Sequence, residues 1–188
     1  MTYSDFFRQI PIFVNLVNSD FSRRYLGTYL GTFWAFAAPI STIGVLLFVF
    51  NVGFRVEPTN GVSFDLWLIT GLLVWFYITD SIVSGSNSIV EYSFLVKKIR
   101  FQTEILPAVK ALSSLYVHAI NMLLLTCLYL YHSSYPSLAW IQLIYYMLGM
   151  VIFVLAVATI SSVIMVFFRD FQGVINILMQ LGLWGTPI

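Results

Sequence analysis

The sequence predicts an all-α fold: a bundle of helices crossing a lipid bilayer, preceded by an amphipathic helix lying along the membrane surface. Three observations predict it. Hydrophobic residues make up 60% of the 188-residue chain and charged residues 9%, with a mean hydropathy of +0.90, whereas a soluble domain carries about 25% charged residues. A soluble fold of this size could not hide so many apolar side chains, because its surface area forces many of them into water. The few charges also leave long empty windows. Residues 25–54 and 111–168 hold no Asp, Glu, Lys or Arg, and residues 66–90 hold only Asp80. Finally, the apolar runs are continuous rather than alternating. Backbone groups in lipid must bond internally, so such runs read as helices and not as barrel strands.

The elements follow in order. In residues 4–21, Phe6, Ile10, Phe13, Val17 and Phe21 recur at three- and four-residue spacing with Val14 beside them. Arg8, Gln9, Asn15, Asn18 and Ser19 fill much of the remainder. This predicts a helix within residues 1–22 in the cytoplasmic membrane interface; a short helix packed on a cytoplasmic partner would give the same pattern. Pro11 fits a first turn or a kink, so the helix is expected to begin late. Asp5, Arg8 and Asp20, with no small-residue cleavage site, argue against a cleaved signal peptide.

A crossing helix needs about 20 apolar residues for a hydrocarbon core about 30 Å thick. Spans are therefore expected near 30–52, 66–87, 110–131, 139–167 and 172–188, with the turn-forming HSSYPS at 132–137 dividing the longest window. The last span is still apolar where the sequence stops, which predicts a truncated chain lacking a final span.

Orientation follows from the basic residues. Arg8, Arg23, Arg24, Lys97, Lys98, Arg100, Lys110 and Arg169 fall on one side of this topology and Arg55 alone on the other. The N-terminus and the loops near 88–109 and 168–172 are thus expected to be cytoplasmic. Net charge is only +1, so nothing argues for nucleic acid. The one cysteine, Cys127, reads as a packing residue.

A few residues stand out against this background. Asp80 is the one acidic residue inside a span. At a cost of about 2.5–3.5 kcal/mol on insertion scales, it should face the bundle interior or water, near Ser81, Ser84 or His118. It reads as a substrate-path or gating residue, or equally as a protonated or interfacial carboxylate. Gly27 and Gly31 in GTYLG have the spacing of close helix packing, a dimer contact or a hinge, and Pro39 is expected to kink the first span. His118 and His132 are isolated from any carboxylate or thiol cluster, so no metal site is expected. No G-x-x-x-x-G-K-[ST] occurs; if ATP drives this chain, a separate polypeptide must hydrolyse it.

Three stretches resemble the membrane subunit of ABC-type polysaccharide exporters, the family of O-antigen, capsule and teichoic acid permeases. RYLGTYLGTFWAFAAP at 24–39 is similar in Arg24, Tyr25, Thr28, Leu30, Gly31, Trp34 and Pro39. LVKKIRFQTEILP at 95–107 resembles the family's Lys-Lys, Phe, Glu-Ile-Leu-Pro segment, with Gln102 where many members carry proline. RDFQGVINILMQLGLWGTPI at 169–188 is similar in Arg169, Asp170, Gln180, Trp184 and the final Thr186-Pro187-Ile188. The stretches stand in the family's order and the likeness covers essentially the whole chain.

The resemblance implies a type-2 exporter transmembrane domain in a bacterial inner membrane, N-terminus cytoplasmic, and no catalysis in this chain. It implies as partners a nucleotide-binding ATPase subunit that holds ATP and Mg, a second copy of the chain, membrane lipids and a lipid-linked polysaccharide. Family members usually have six spans, in keeping with a missing final one. Segment 88–106 would be a coupling helix docked on the ATPase through Glu91, Phe94, Lys97, Lys98, Arg100, Phe101 and Glu104, where a plain anchor at lipid headgroups is the simpler alternative. Arg23, Arg24, Tyr25, Arg169 and Asp170 would form a gate or the cytoplasmic rim. Flat rings contact the apolar faces of sugars, so Phe33, Trp34, Trp75, Phe76, Tyr77 and Trp184 are candidates, with Asp80, to line a conduit. The rival readings are an ion- or proton-coupled carrier using Asp80, a membrane-embedded transferase with Asp80 or His118 as base, and a scaffold subunit.

Overall fold

The computed structural model describes residues 3–25, 31, 33–54, 63–94, 103–132 and 138–186. Among them there is helix and turn but no strand. The helices are α1 (Tyr3–Tyr25), α2 (Phe33–Phe48, continued by a π-helical stretch Val49–Phe54), α3 (Phe64–Ser86), the single turn α4 (Ser88–Glu91), α5 (Leu106–Tyr131), α6 (Ile141–Phe167) and α7 (Phe171–Gly185). Four helical stretches are long and apolar enough to cross a membrane: Phe33–Phe54, Phe64–Ser86, Thr103–Tyr131 and Ile141–Phe167. The chain is a multi-pass, all-α membrane protein. Helix α7 occupies most of the expected fifth span, but its 15 residues reach only about 22 Å at 1.5 Å per residue.

Helix α3 is the centre of the bundle and packs chiefly on α5 and α6, with α2 and α7 at its flanks. The core is small and specific: Tyr77 and Ile82 of α3, Ala111 of α5, Val154 of α6 and Ile175 of α7. The α3–α6 contact depends on a missing side chain. A Cβ on Gly85 would lie 2.8 Å from the Cβ of Ala158 and so could not be accommodated without the helices moving apart. In lipid, where apolar surface gives no drive to associate, this close approach of small residues is what holds helices together. Gly182 of α7 repeats the arrangement more tightly, its α-carbon lying against the ring of Trp75.

Local sequence accounts for the ends. Pro107 stands in the first turn of α5, where its fixed φ suits the helix and its missing N–H costs nothing. Glu104 lies in the 3₁₀ turn Thr103–Ile105 just before it. At the other end of α2, Asn51 donates to Asp65 at 2.9 Å and joins α2 to the first turn of α3.

Two details differ from expectation. Helix α1 does not begin late: it runs from Tyr3 through Pro11, whose position leaves one helical turn short of a hydrogen bond. Gly31 is not a helix-packing residue, because its φ of +52° places it in a left-handed turn ahead of α2; Gly27 lies outside the described residues. Pro39 sits inside α2, which continues through it, with Ser41 and Thr42 both donating side-chain bonds to the Ala38 carbonyl.

Candidate functional site

Two features come together between α1, α3 and α5: a chain of charged side chains and a cavity that begins where the chain ends. Helix α1 docks by its C-terminal half. Val17 and Asp20 are buried and Phe21 is half-buried, all within about one turn on one face. Phe21 meets Tyr116 of α5 edge-on, and the Tyr116 hydroxyl donates to Asn18 at 3.1 Å. Ile10, Ile12 and Val14 remain exposed. The packing partner of α1 is thus a helix of its own chain.

Asp20 is 1% exposed and cannot stay charged there without compensation. Three groups supply it. Lys110, itself 3% exposed, places its Nζ 2.6 Å from one carboxylate oxygen. The Tyr92 hydroxyl donates to that same oxygen at 2.9 Å. Arg24, one turn along α1, reaches the other oxygen with its Nε at 3.1 Å. Burial by itself raises the Asp20 pKa, but the Lys110 hydrogen bond and the charges of Arg24 and Lys110 outweigh it, so the carboxyl lies below its ordinary range. For Tyr92, burial and then the charge of Asp20 push the pKa up, keeping its proton in place as a donor.

The chain continues both ways from Asp20. Lys110 also pairs with Glu91 of α4 at 2.8 Å, and its ammonium lies 5.2 Å from the Tyr92 ring centre. Arg24 extends one guanidinium nitrogen to Asp80 of α3 at 3.0 Å and to the Ser114 hydroxyl at 3.2 Å. Ser114 in turn donates a short hydrogen bond to Asp80. Asp80 is therefore not partnered by Ser81, Ser84 or His118; its partners come from α1 and α5.

Asp80 and Ser114 also line a half-open cavity of about 470 Å³ between α2, α3 and α5, touched by Asn176 of α7. Trp34, Phe76 and Tyr77 supply aromatic surface, and Thr42, Thr79, His118 and Asn121 supply polar groups. Such a volume falls in the range of small-ligand pockets, about 300–1,000 Å³. His118 stands between this cavity and a second, more apolar one of about 630 Å³ formed by α3, α5 and α6, which contains Met122, Met147 and Met150. The Tyr77 and His118 ring centres lie 4.8 Å apart with their planes tilted by 36°.

Of the residues singled out in the sequence for a conduit, Trp34, Phe76, Tyr77 and Asp80 meet on this cavity. The other three do not: Phe33 is exposed on α2, Trp75 packs on Gly182, and Trp184 is exposed on α7. Of the rim residues, Arg24 is in the ion chain, Arg23 lies 5.8 Å over the Tyr92 ring, Tyr25 ends α1, and Arg169 and Asp170 form an exposed turn between α6 and α7. Of the coupling residues, Glu91 pairs with Lys110 while Phe94 and Glu104 are exposed. Lys97, Lys98, Arg100 and Phe101 lie outside the described residues.

Sequence reasoning missed Asp20, Tyr92, Lys110 and Ser114 as members of one site. Two signals were available. Asp20 and Arg24 have the i, i+4 spacing of a helical ion pair. Lys110, Ser114, His118 and Asn121 recur at three- and four-residue steps through an otherwise apolar helix, a polar stripe on one face.

No family model matches the chain. It is similar, however, to curated relatives along nearly its full length. It is 27% identical over 177 residues to the O-antigen export system permease protein RfbA of Myxococcus xanthus, covering 94% of this chain and 67% of that protein. It is 28% identical over 183 residues to the protein of the same name from Klebsiella pneumoniae, covering 94% of this chain and 68% of that one. With its helical membrane architecture, the chain is thus similar along nearly its full length to these O-antigen export permeases.

Proposed function

We propose that the chain is the membrane subunit of an exporter that moves a lipid-linked polysaccharide across the bacterial cytoplasmic membrane, as one of two copies, powered by ATP hydrolysed on a separate subunit. The similarity to O-antigen export permeases over 94% of the chain carries this reading. The cavity chemistry supports it. Flat rings beside hydroxyl and amide groups suit sugars, whose faces are apolar and whose edges bear hydroxyls. In this reading the chain binds no cofactor and catalyses nothing; the partner binds ATP and Mg. The distribution of basic residues supports a cytoplasmic N-terminus and segment 88–106.

The carrier reading is weakened by the partners of Asp80. A carboxylate already paired with Arg24 at 3.0 Å and bonded to Ser114 has its oxygens engaged by neighbouring helices, which suits a structural or gating role better than proton exchange. The transferase reading is weakened in the same way: the Ser114 hydroxyl does meet the Asp80 carboxylate at the cavity, but that carboxylate is already paired with Arg24, which disfavours it as a base.

The test is purification of the full-length protein from its native host. An ATPase subunit is expected to co-purify and to be lost on deleting residues 91–104. Transport by the purified protein in liposomes without an ATPase or nucleoside triphosphate would overturn the proposal.

A further inference from the structure

The ion chain is longer than anchoring α1 requires. One buried pair, Asp20 with Lys110, would dock the helix. Instead the charges alternate without a break from Glu91 through Lys110, Asp20 and Arg24 to Asp80, each link between 2.6 and 3.1 Å. Its two ends are in different places: Glu91 is beside the cytoplasmic connection, and Asp80 is on the cavity wall. The middle is buried and the ends are open, with Asp20 and Lys110 side chains at 2% and 3% exposure against 39% for Glu91 and 49% for Asp80. The buried links cannot be replaced by water, so displacing one must displace its neighbour.

We infer that Lys110 is a positioning residue: acting through Asp20, it sets where Arg24 lies across Ser114 and Asp80, and so couples the cytoplasmic connection to the end of the cavity nearest α1. Lys110 does not line the cavity, yet it holds the carboxylate that orients Arg24. A pull on Glu91 or on the first turn of α5 moves the ammonium, Asp20 follows, and Arg24 slides off Asp80. That this motion serves transport rests on the exporter reading; the positioning itself does not.

The Ser114 side chain is a direct reporter, because it is 4% exposed and lies beneath Arg24. The experiment uses the full chain in liposomes with the native thiol removed by Cys127→Ser and a reporter introduced by Ser114→Cys. The rate of labelling by the neutral reagent N-ethylmaleimide is measured with no nucleotide or partner present. Arg24→Gln and Lys110→Gln are each expected to raise the rate about tenfold or more, the loss of one charge-assisted hydrogen bond; Lys110→Arg is expected to stay near the parent rate. A parent-like rate in Lys110→Gln beside a raised rate in Arg24→Gln would overturn the inference, since Arg24 would then be placed without Lys110. Equal rates in all variants would overturn it as well. Should Lys110→Gln fail to fold, Glu91→Gln decides. It leaves Lys110 to Asp20 alone and weakens the hold on Arg24, with a rise of about threefold expected for a half-exposed pair and an unchanged rate overturning the inference. Because no ATPase takes part, failure here is separate from failure of the exporter reading.

Discussion

The helical stretch Phe33–Phe54 and helix α5 can both cross a bilayer, and the first is the more apolar. It is also the less buried: Ala35 alone is inside, whereas α5 buries ten residues, among them Lys110, Ser113, Ser114, His118 and Asn121. In water this order would be reversed, because apolar surface drives burial there. In lipid an apolar side chain gains little by turning inward, and what must turn inward is whatever lipid cannot solvate. Polarity and small size therefore sort the helices of this protein, and hydropathy sorts only spans from loops.

The most direct way to break the comparison is to make α5 resemble α2. Lys110→Met matches the length of the side chain and removes its charge, leaving Asp20 buried with half its compensation. Removing one partner of a buried pair costs about 3–5 kcal/mol, so the purified variant is expected to melt far below the parent or to accumulate poorly, measured by thermal unfolding in detergent. If Lys110→Met were as stable as the parent, polarity would not be what holds α5 inside.

The second test concerns size. Gly85→Leu adds a side chain where a single Cβ would already lie 2.8 Å from Ala158. Overpacking costs about 1–3 kcal/mol, and the same substitution at Gly44 of α2, which has open space around it, is expected to change the melting temperature little.

A third test uses acid. The Asp20 carboxyl is depressed in the folded chain, so its contribution is present above the unfolded value of about 3.9 and is lost as pH falls through the lower folded value. Docking of α1 should therefore be constant through neutral pH and fail only in strong acid, below about pH 4, read as the distance between spin labels at exposed Ile12 and Val163. Release of α1 near pH 6 would mean that Asp20 is not the charge that holds it.

Legibility divides along the same line. The crossing helices were partly readable because a gap in charge is a local signal: three of the four match the windows 25–54, 66–90 and 111–168 closely, while the third, Thr103–Tyr131, starts eight residues ahead of its window and takes in Glu104 and Lys110. Asp80 was readable as a residue that must find a partner. Its partner was not, because Arg24 comes from 56 residues away and its place just before the first span reads as the cytoplasmic rim. In the sequence Lys110 likewise reads as a basic residue marking the cytoplasmic side. A rim cation and a buried one look identical in a linear count. What separates them is the stripe of polar residues that follows Lys110 on its face of α5, and pairing Asp20 with it requires the tertiary fold.

The smallest effect sharpens the difference between a buried link and an exposed one. Tyr92→Phe removes a single donor from Asp20 while leaving Lys110 and Arg24 in place. The carboxylate loses one of three partners inside the bundle, at a cost of about 1–2 kcal/mol. Asp80→Asn removes the far end of the chain, where Asp80 is half in the open cavity, and solvent screens such a pair to about 0–1 kcal/mol. Melting temperatures should therefore rank Tyr92→Phe below Asp80→Asn, although the first removes only a hydroxyl and the second a full charge. The reverse order would mean that the cavity end of the chain, and not its buried middle, secures α1 to the bundle.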